Sequence, residues 1–198
     1  KYIETKYILF IIPLIFSVFI VELFKNKPNP LDNISLTFLG IIYVAVPLSL
    51  LLLITNTLQE NYQVGKVLVL GFFVLVWTND TFAYLVGIKF GKNRLFERVS
   101  PKKSWEGSIG GLFFSIIAST VLSYYFDVLS LSEWIGMSIV IVIFGSIGDL
   151  VESLFKRSLH IKDSGNILPG HGGILDRLDA VLIAAPFVFF YLLLIRLF

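Results

Sequence analysis

Six runs of about twenty apolar residues, separated by polar connections, constrain this chain more than any other feature. They cover residues 7–24, 34–55, 67–88, 108–126, 134–154 and 180–198. A run of that length crosses a bilayer as an α-helix, because a helix satisfies its own backbone N–H and C=O groups where no water can. β-Branched residues are common in the runs, yet their length and the lack of period-two alternation predict helices rather than barrel strands. Composition agrees: 56% of the 198 residues are hydrophobic, only 15% are charged, and the mean hydropathy is +0.84. An ordinary water-soluble globule is excluded. The expected fold is all-α, a polytopic helical membrane protein with about six transmembrane helices in a single membrane-embedded domain over residues 1–198. Pro13, Pro47 and Pro186 lie inside runs, where kinks are expected.

The first run follows Lys1 and Lys6 and could be mistaken for a signal peptide. It lacks a small-residue cleavage site and exceeds the usual apolar length, so a true span is expected. The chain opens on Lys rather than Met, so either it is processed or it is the carboxy-terminal part of something longer. The absence of cysteine excludes disulfides, thiolate metal sites and a cysteine nucleophile. A net charge of +2, with no Lys/Arg-rich run of helical spacing, argues against nucleic acid. No G-x-x-x-x-G-K-[ST], H-E-x-x-H or G-x-S-x-G motif occurs. Of the 16 Lys and Arg residues, 12 lie in the connections 25–33, 89–107 and 155–179. That asymmetry predicts a cytoplasmic position for the two long polar loops, 89–107 and 155–179.

The second of these loops is the densest chemistry in the chain. Residues 153–179 carry Lys156, Arg157, His160, Lys162, Asp163, His171, Asp176, Arg177 and Asp179 between two apolar runs. Cationic side chains and glycine N–H groups hold phosphate oxygens, and clustered carboxylates hold the divalent cation that neutralises them. Asp176 and Asp179 are three apart and share a helix face. Gly170, Gly172 and Gly173 bracket His171, where backbone can approach a ligand closely. Asp80 lies inside the third run, and a carboxylate there costs at least about 2.5 kcal/mol by insertion scales, which makes it a functional-site candidate. The loop after it holds Ser100, Lys102, Lys103 and Glu106, and the fifth run ends with Asp149 and Glu152 on one helix face. At 1.5 Å per residue, Asp80, Asp149, Asp176 and Asp179 all fall in the same half of the bilayer. Simpler readings stand beside these: a solvated basic loop, an inward-facing Asp80 bonded to a neighbouring helix, and the positive-inside bias alone for Lys102 and Lys103. Gly87 with Gly91, and Gly107 with Gly111, read as close helix packing.

The order of these residues resembles the pattern of phosphatidate cytidylyltransferases, also called CDP-diacylglycerol synthases. Ser153, Lys156, Arg157, Lys162, Asp163, Gly165, Leu168, Pro169, His171, Gly172, Gly173, Asp176, Arg177 and Asp179 fall where that pattern has them. So do residues 80–84, Gly87, Gly91, Ser100, Pro101, Lys102, Lys103, Trp105, Glu106 and Gly107, with Ser104 where Thr is frequent. Members of that family are generally longer, with further amino-terminal helices, so the resemblance implies that this chain is the carboxy-terminal part of a longer one. The resemblance implies transfer of a cytidylyl group from CTP to phosphatidic acid, giving CDP-diacylglycerol and pyrophosphate, at the bacterial inner membrane with the active-site loops cytoplasmic. It implies a Mg²⁺ site at Asp149, Asp176 and Asp179, with a second cation allowed. Catalysis would use these three with Lys162, Asp163 and Arg177. Substrate would be held by Asp80, Ser100, Lys102, Lys103, Glu106, Lys156, Arg157, His171, Gly172 and Gly173. Of these, Lys102, Lys103, Lys162 and Arg177 would face triphosphate, and Lys156 and Arg157 the lipid phosphate. A homodimer is among the assemblies expected. Rival readings are a CTP-dependent polyprenol kinase, an ether-lipid cytidylyltransferase or, from another class, an ion-coupled transporter.

Overall fold

The structure, a computed structural model, describes residues 2–25, 28–56, 62–161, 163–165 and 173–197. In chain order its elements are α1 (Tyr2–Lys25), α2 (Pro30–Gly40), a π-helical turn (Ile41–Ala45), α3 (Val46–Asn56), α4 (Tyr62–Phe90), β1 (Arg94–Phe96), β2 (Ser100–Ser104), α5 (Trp105–Tyr125), α6 (Leu131–Ser158) and α7 (Leu175–Leu197). Among the described residues, five helices are long and apolar enough to cross a membrane: Pro30–Thr55, Gln63–Phe90, Trp105–Tyr125, Leu131–Ser158 and Leu175–Arg196. Each overlaps one of the expected runs, and α1 overlaps the remaining one. The protein is an all-α integral membrane protein. The ends differ from the apolar runs because hydropathy marks the hydrocarbon layer, whereas caps decide where helices stop. Ser104 caps α5 by accepting from the Gly107 N–H at 3.2 Å, and Ser130 with Glu133 closes a capping box on α6.

The chain forms two compact units, Lys1–Val46 and Pro47–Phe198. In the first, α1 turns into α2 through Asn29 in the left-handed conformation (φ 58°), with Pro30 at the start of the helix, where its missing N–H costs nothing. The two helices are pinned by Asn33 Nδ2 donating to the buried Glu22 carboxylate at 2.5 Å and by Phe19 against Phe38 at 5.5 Å. In the π turn the Val46 N–H reaches back to the Ile41 carbonyl. Only Val46 separates this turn from Pro47 in sequence, and a widened turn is one way a helix accommodates a proline.

In the second unit α4 packs on α5, α5 on α6, and α6 on α7, with α4 also touching α6. Lipid chains are as apolar as leucine, so close fit rather than water exclusion holds such helices together. The core is Phe72, Leu75, Trp134, Met137, Ile141, Val188 and Leu192, all fully buried. Parallel ring stacks seal two interfaces, Phe82 on Phe114 at 3.8 Å and Phe144 on Phe187 at 3.5 Å. Many large apolar side chains of these helices stay exposed, Ile109, Phe113, Ile143 and Phe190 among them, a surface suited to lipid and not to water.

Small residues set two crossings that matter for the site. A Cβ on Gly107 would lie 2.7 Å from the Ala83 carbonyl oxygen, so only glycine lets α5 come this near α4. A Cβ on Gly148 would lie 2.5 Å from the Asp179 carbonyl oxygen, which brings α6 against the first turns of α7.

Candidate active site

The polar residues gather where α4 and α6 end and α5 and α7 begin. After α4 the chain does not run as a plain loop; it forms an antiparallel hairpin with Arg94 opposite Ser104 and Phe96 opposite Ser100, and an irregularity between the two pairs. Nothing in the sequence predicts these strands. Glu106, in the first turn of α5, holds the hairpin's base: its carboxylate accepts from the Lys92 N–H (3.1 Å), the Asn93 N–H (3.2 Å) and Asn93 Nδ2 (2.8 Å). The Trp105 N–H donates to the Asn93 carbonyl at 3.0 Å. An acid in the first turn also complements the helix dipole.

Beneath the hairpin lies a cavity of about 600 Å³. Asn79 and Asp80 of α4 and Ser146 and Asp149 of α6 line one part, and Arg94, Lys102, Lys103 and Ser104 of the hairpin another. Tyr84 and Ile88 give it an apolar wall. Lys103 Nζ donates to Asp149 Oδ2, tying the hairpin to α6. Asn79 Nδ2 reaches Asp80 Oδ1 at 3.4 Å, while Asn79 itself is buried against Gly111.

On the other side of α6 the Gly148 crossing brings carboxylates together. Asp179 interacts electrostatically with Asp149, Glu152 and Asp80, three acids from two other helices. Asp176 keeps different company. Its Oδ1 accepts from Lys156 Nζ at 2.7 Å, and its Oδ2 accepts from the Ser164 N–H (2.8 Å), Ser164 Oγ (2.7 Å) and the Gly173 N–H (2.7 Å). Lys156 also pairs with Glu152, whose carboxylate is almost wholly buried.

The structure thus brings Asp80, Lys102, Lys103 and Asp149 to one cavity and Asp179 close to it. Ser100 is half-buried at the start of β2, outside the cavity lining, and Glu106 spends its oxygens on the loop backbone. Lys156 is bound by two acids, Gly173 is bound to Asp176, and Arg157, Asp163 and Arg177 are exposed. Lys162, His171 and Gly172 lie outside the described residues.

Two residues of the site have no signal in the sequence: Arg94, whose place depends on the hairpin register, and Asn79, because nothing marks a buried amide beside Asp80. Glu152, which shares a helix face with Asp149, also has the i,i+4 spacing to Lys156 that forms ion pairs on helices.

For a divalent cation the donors are of the right kind, since Mg²⁺ prefers carboxylate oxygens completed by water and phosphate. Asp149 and Asp179 are donors of that kind, and the charge of one is felt by the other. Asp176 would join them only by releasing Lys156 and the loop N–H groups. Among the described residues, no three His, Asp or Glu side chains are grouped closely enough to hold a metal ion.

Apolar spanning helices with a cavity of acids and lysines at one end define an integral membrane protein with a site suited to a phosphate-bearing ligand. The chain belongs to the cytidylyltransferase family, which it matches over residues 2–195. It is similar to the phosphatidate cytidylyltransferase of Staphylococcus aureus (strain COL), with 46% identity over 129 residues, 64% of this chain and 49% of the relative. The enzyme of the same name from Staphylococcus haemolyticus is 48% identical over 116 residues, 58% of this chain and 44% of the relative. That from Rickettsia bellii is 35% identical over 166 residues, 80% of this chain and 70% of the relative. The chain spans about half the length of the staphylococcal relatives it matches.

Proposed function

We propose that this chain transfers the cytidylyl group of CTP to phosphatidic acid, forming CDP-diacylglycerol and pyrophosphate. The observation that carries the reading is the cavity in which hairpin lysines face helix carboxylates, in a chain of the cytidylyltransferase family whose relatives are named for this reaction. An oxygen of the lipid phosphate, already ionised at neutral pH, forms a bond to the α-phosphorus of CTP as the bond to the β-phosphate oxygen breaks. No proton need be removed and no covalent intermediate is required, so the protein's work is positioning and charge neutralisation. Lys102 and Lys103 neutralise phosphate charge, and Asp149 orients Lys103. Asp149 and Asp179 would hold Mg²⁺, which when bound supplies further neutralisation of phosphate oxygens. The apolar wall at Tyr84 and Ile88 suits a substrate with acyl chains.

The polar end of the helices would face the cytoplasm of a bacterial inner membrane, a reading supported by the 12 of 16 Lys and Arg residues in connections 25–33, 89–107 and 155–179. Single cysteines at Asn93 and Ser164 should label from the cytoplasm, and one at Ser130 from outside; labelling of Asn93 and Ser164 from opposite faces would refute this. The reaction is tested with purified protein, CTP and phosphatidate in mixed micelles. Phosphatidate-dependent release of pyrophosphate with formation of CDP-diacylglycerol supports the proposal. Release of CDP with a phosphorylated lipid would instead identify a kinase.

A further inference from the structure

We propose that Arg94 is a phosphate-binding residue of this cavity and that, with Lys102, it forms a two-cation cradle for a diphosphate. The inference rests on the cytidylyl-transfer reading for the identity of that diphosphate, the pyrophosphate portion of the nucleotide, but not for the site itself. Arg94 lines the same cavity as Asp80, Lys102, Lys103 and Asp149. Charge accounting separates these cations. Lys103 shares its charge with Asp149, whereas among the described residues no carboxylate stands within ion-pair distance of Arg94 or Lys102. Two unpaired cations on neighbouring strands over one cavity favour an anion that carries more than one charge.

Arg94 is also held in place. Its Cα is paired with Ser104, the cap of α5, and the preceding residue is fixed through Glu106 to Asn93 and through the Trp105 N–H to the Asn93 carbonyl. A guanidinium on a fixed strand can present two parallel N–H donors to phosphate oxygens, which a lysine cannot. Asp80 and Asp149 lie within the helices, while Arg94 and Lys102 lie on the hairpin beyond the helix ends. A triphosphate whose terminal phosphates meet Arg94 and Lys102 would therefore lie with those phosphates on the hairpin side of the cavity.

The test is calorimetric titration of the full chain in detergent micelles with inorganic pyrophosphate, alongside KM measurements for CTP and phosphatidate. Arg94→Ala should weaken pyrophosphate binding and raise the KM for CTP, each by on the order of tenfold or more, with the KM for phosphatidate unchanged. Arg94→Lys should recover only part of the loss, and it carries the test should the alanine variant fail to fold. Unchanged pyrophosphate affinity in both variants overturns the inference. So does a rise confined to the KM for phosphatidate, which would make Arg94 a lipid-phosphate contact. Arg94-dependent pyrophosphate binding by a wild-type protein that forms no CDP-diacylglycerol would overturn the transfer reading and leave the cradle standing.

Discussion

The two polar loops look alike in sequence, each basic, glycine-containing and followed by an apolar run, yet they differ in which of their cations are paired. Both use one carboxylate from the first turn of the following helix to gather the N–H groups of the preceding loop: Glu106 of α5 for Lys92 and Asn93, and Asp176 of α7 for Ser164 and Gly173. In the first loop the hairpin's own pairing shares the task, and two of its cations, Arg94 and Lys102, are left without an acid among the described residues. In the second, Lys156 is drawn in between Asp176 and buried Glu152. On the proposed function, Arg94 and Lys102 of the first loop are the cations open to a ligand. The second uses the charge of Lys156 to hold itself, although sequence reading assigned that lysine to lipid phosphate.

The largest effect is expected at Asp149, where the hairpin meets the acids of α6 and α7. Asp149→Asn removes the partner of Lys103 and one of the two best-placed metal donors. Turnover should fall on the order of a hundredfold or more, with normal insertion and purification. Lys103 should also become more reactive toward amine-modifying reagents, as a direct readout of its release. Full activity with an unaltered Mg²⁺ requirement would remove α6 from the site. Asp176→Asn comes next. It weakens a charge-assisted contact to Lys156 and the bonds from Ser164 and Gly173, so activity should fall about tenfold to a hundredfold and proteases should cut beside Ser164 and Gly173 faster. If activity is lost while the loop keeps its protection, Asp176 acts as a ligand and the contrast between the loops collapses.

Glu106→Gln should do less, because the β1–β2 pairing and the Trp105 to Asn93 bond survive it. The KM for CTP should rise several-fold with kcat little changed if Glu106 acts by positioning the strand that carries Arg94, through its bonds to Lys92 and Asn93. A collapse of kcat instead would show that Glu106 contacts the substrate.

What could be read from the sequence follows the range of the forces involved. Spanning helices declare themselves because hydropathy is a property of each residue summed over a window, and the sharing of a helix face by Asp176 and Asp179 needs only local geometry. The hairpin was illegible because Ser100, Pro101, Lys102, Lys103 and Ser104 show no apolar alternation, and Pro101 argues against a strand except at an edge. Its stability comes from Glu106 and Asn93, a contact between residues thirteen apart. The partner choices of the lysines were illegible for the same reason: Lys103 finds Asp149 across 46 residues and Lys156 finds Asp176 across 20. Residue type announced phosphate chemistry, but only the helix crossings at Gly107 and Gly148 decide which charges remain available for it.

The smallest effect is expected at Asp127, which tests whether acidity alone matters. Asp127 is exposed in the connection between α5 and α6, at the opposite end of those helices from the cavity. The connection is held by other groups. The Phe126 N–H donates to the Leu122 carbonyl at 2.9 Å, and the Ser130 N–H donates to the Glu133 carboxylate at 2.6 Å as part of the cap that starts α6. Tyr191 Oη donates to the Glu133 carbonyl at 2.9 Å and fixes the same end against α7. None of these bonds uses the Asp127 side chain, and an exposed surface substitution away from caps and cores rarely shifts stability by more than about 0.5 kcal/mol. Asp127→Asn should leave kcat, the KM for CTP and thermal stability within about twofold or a degree or two of wild type. A large loss of activity here would mean that net charge, and not the placement of particular carboxylates around the two loops, governs the protein, and the assignments to Asp149 and Asp176 would then lose their specificity.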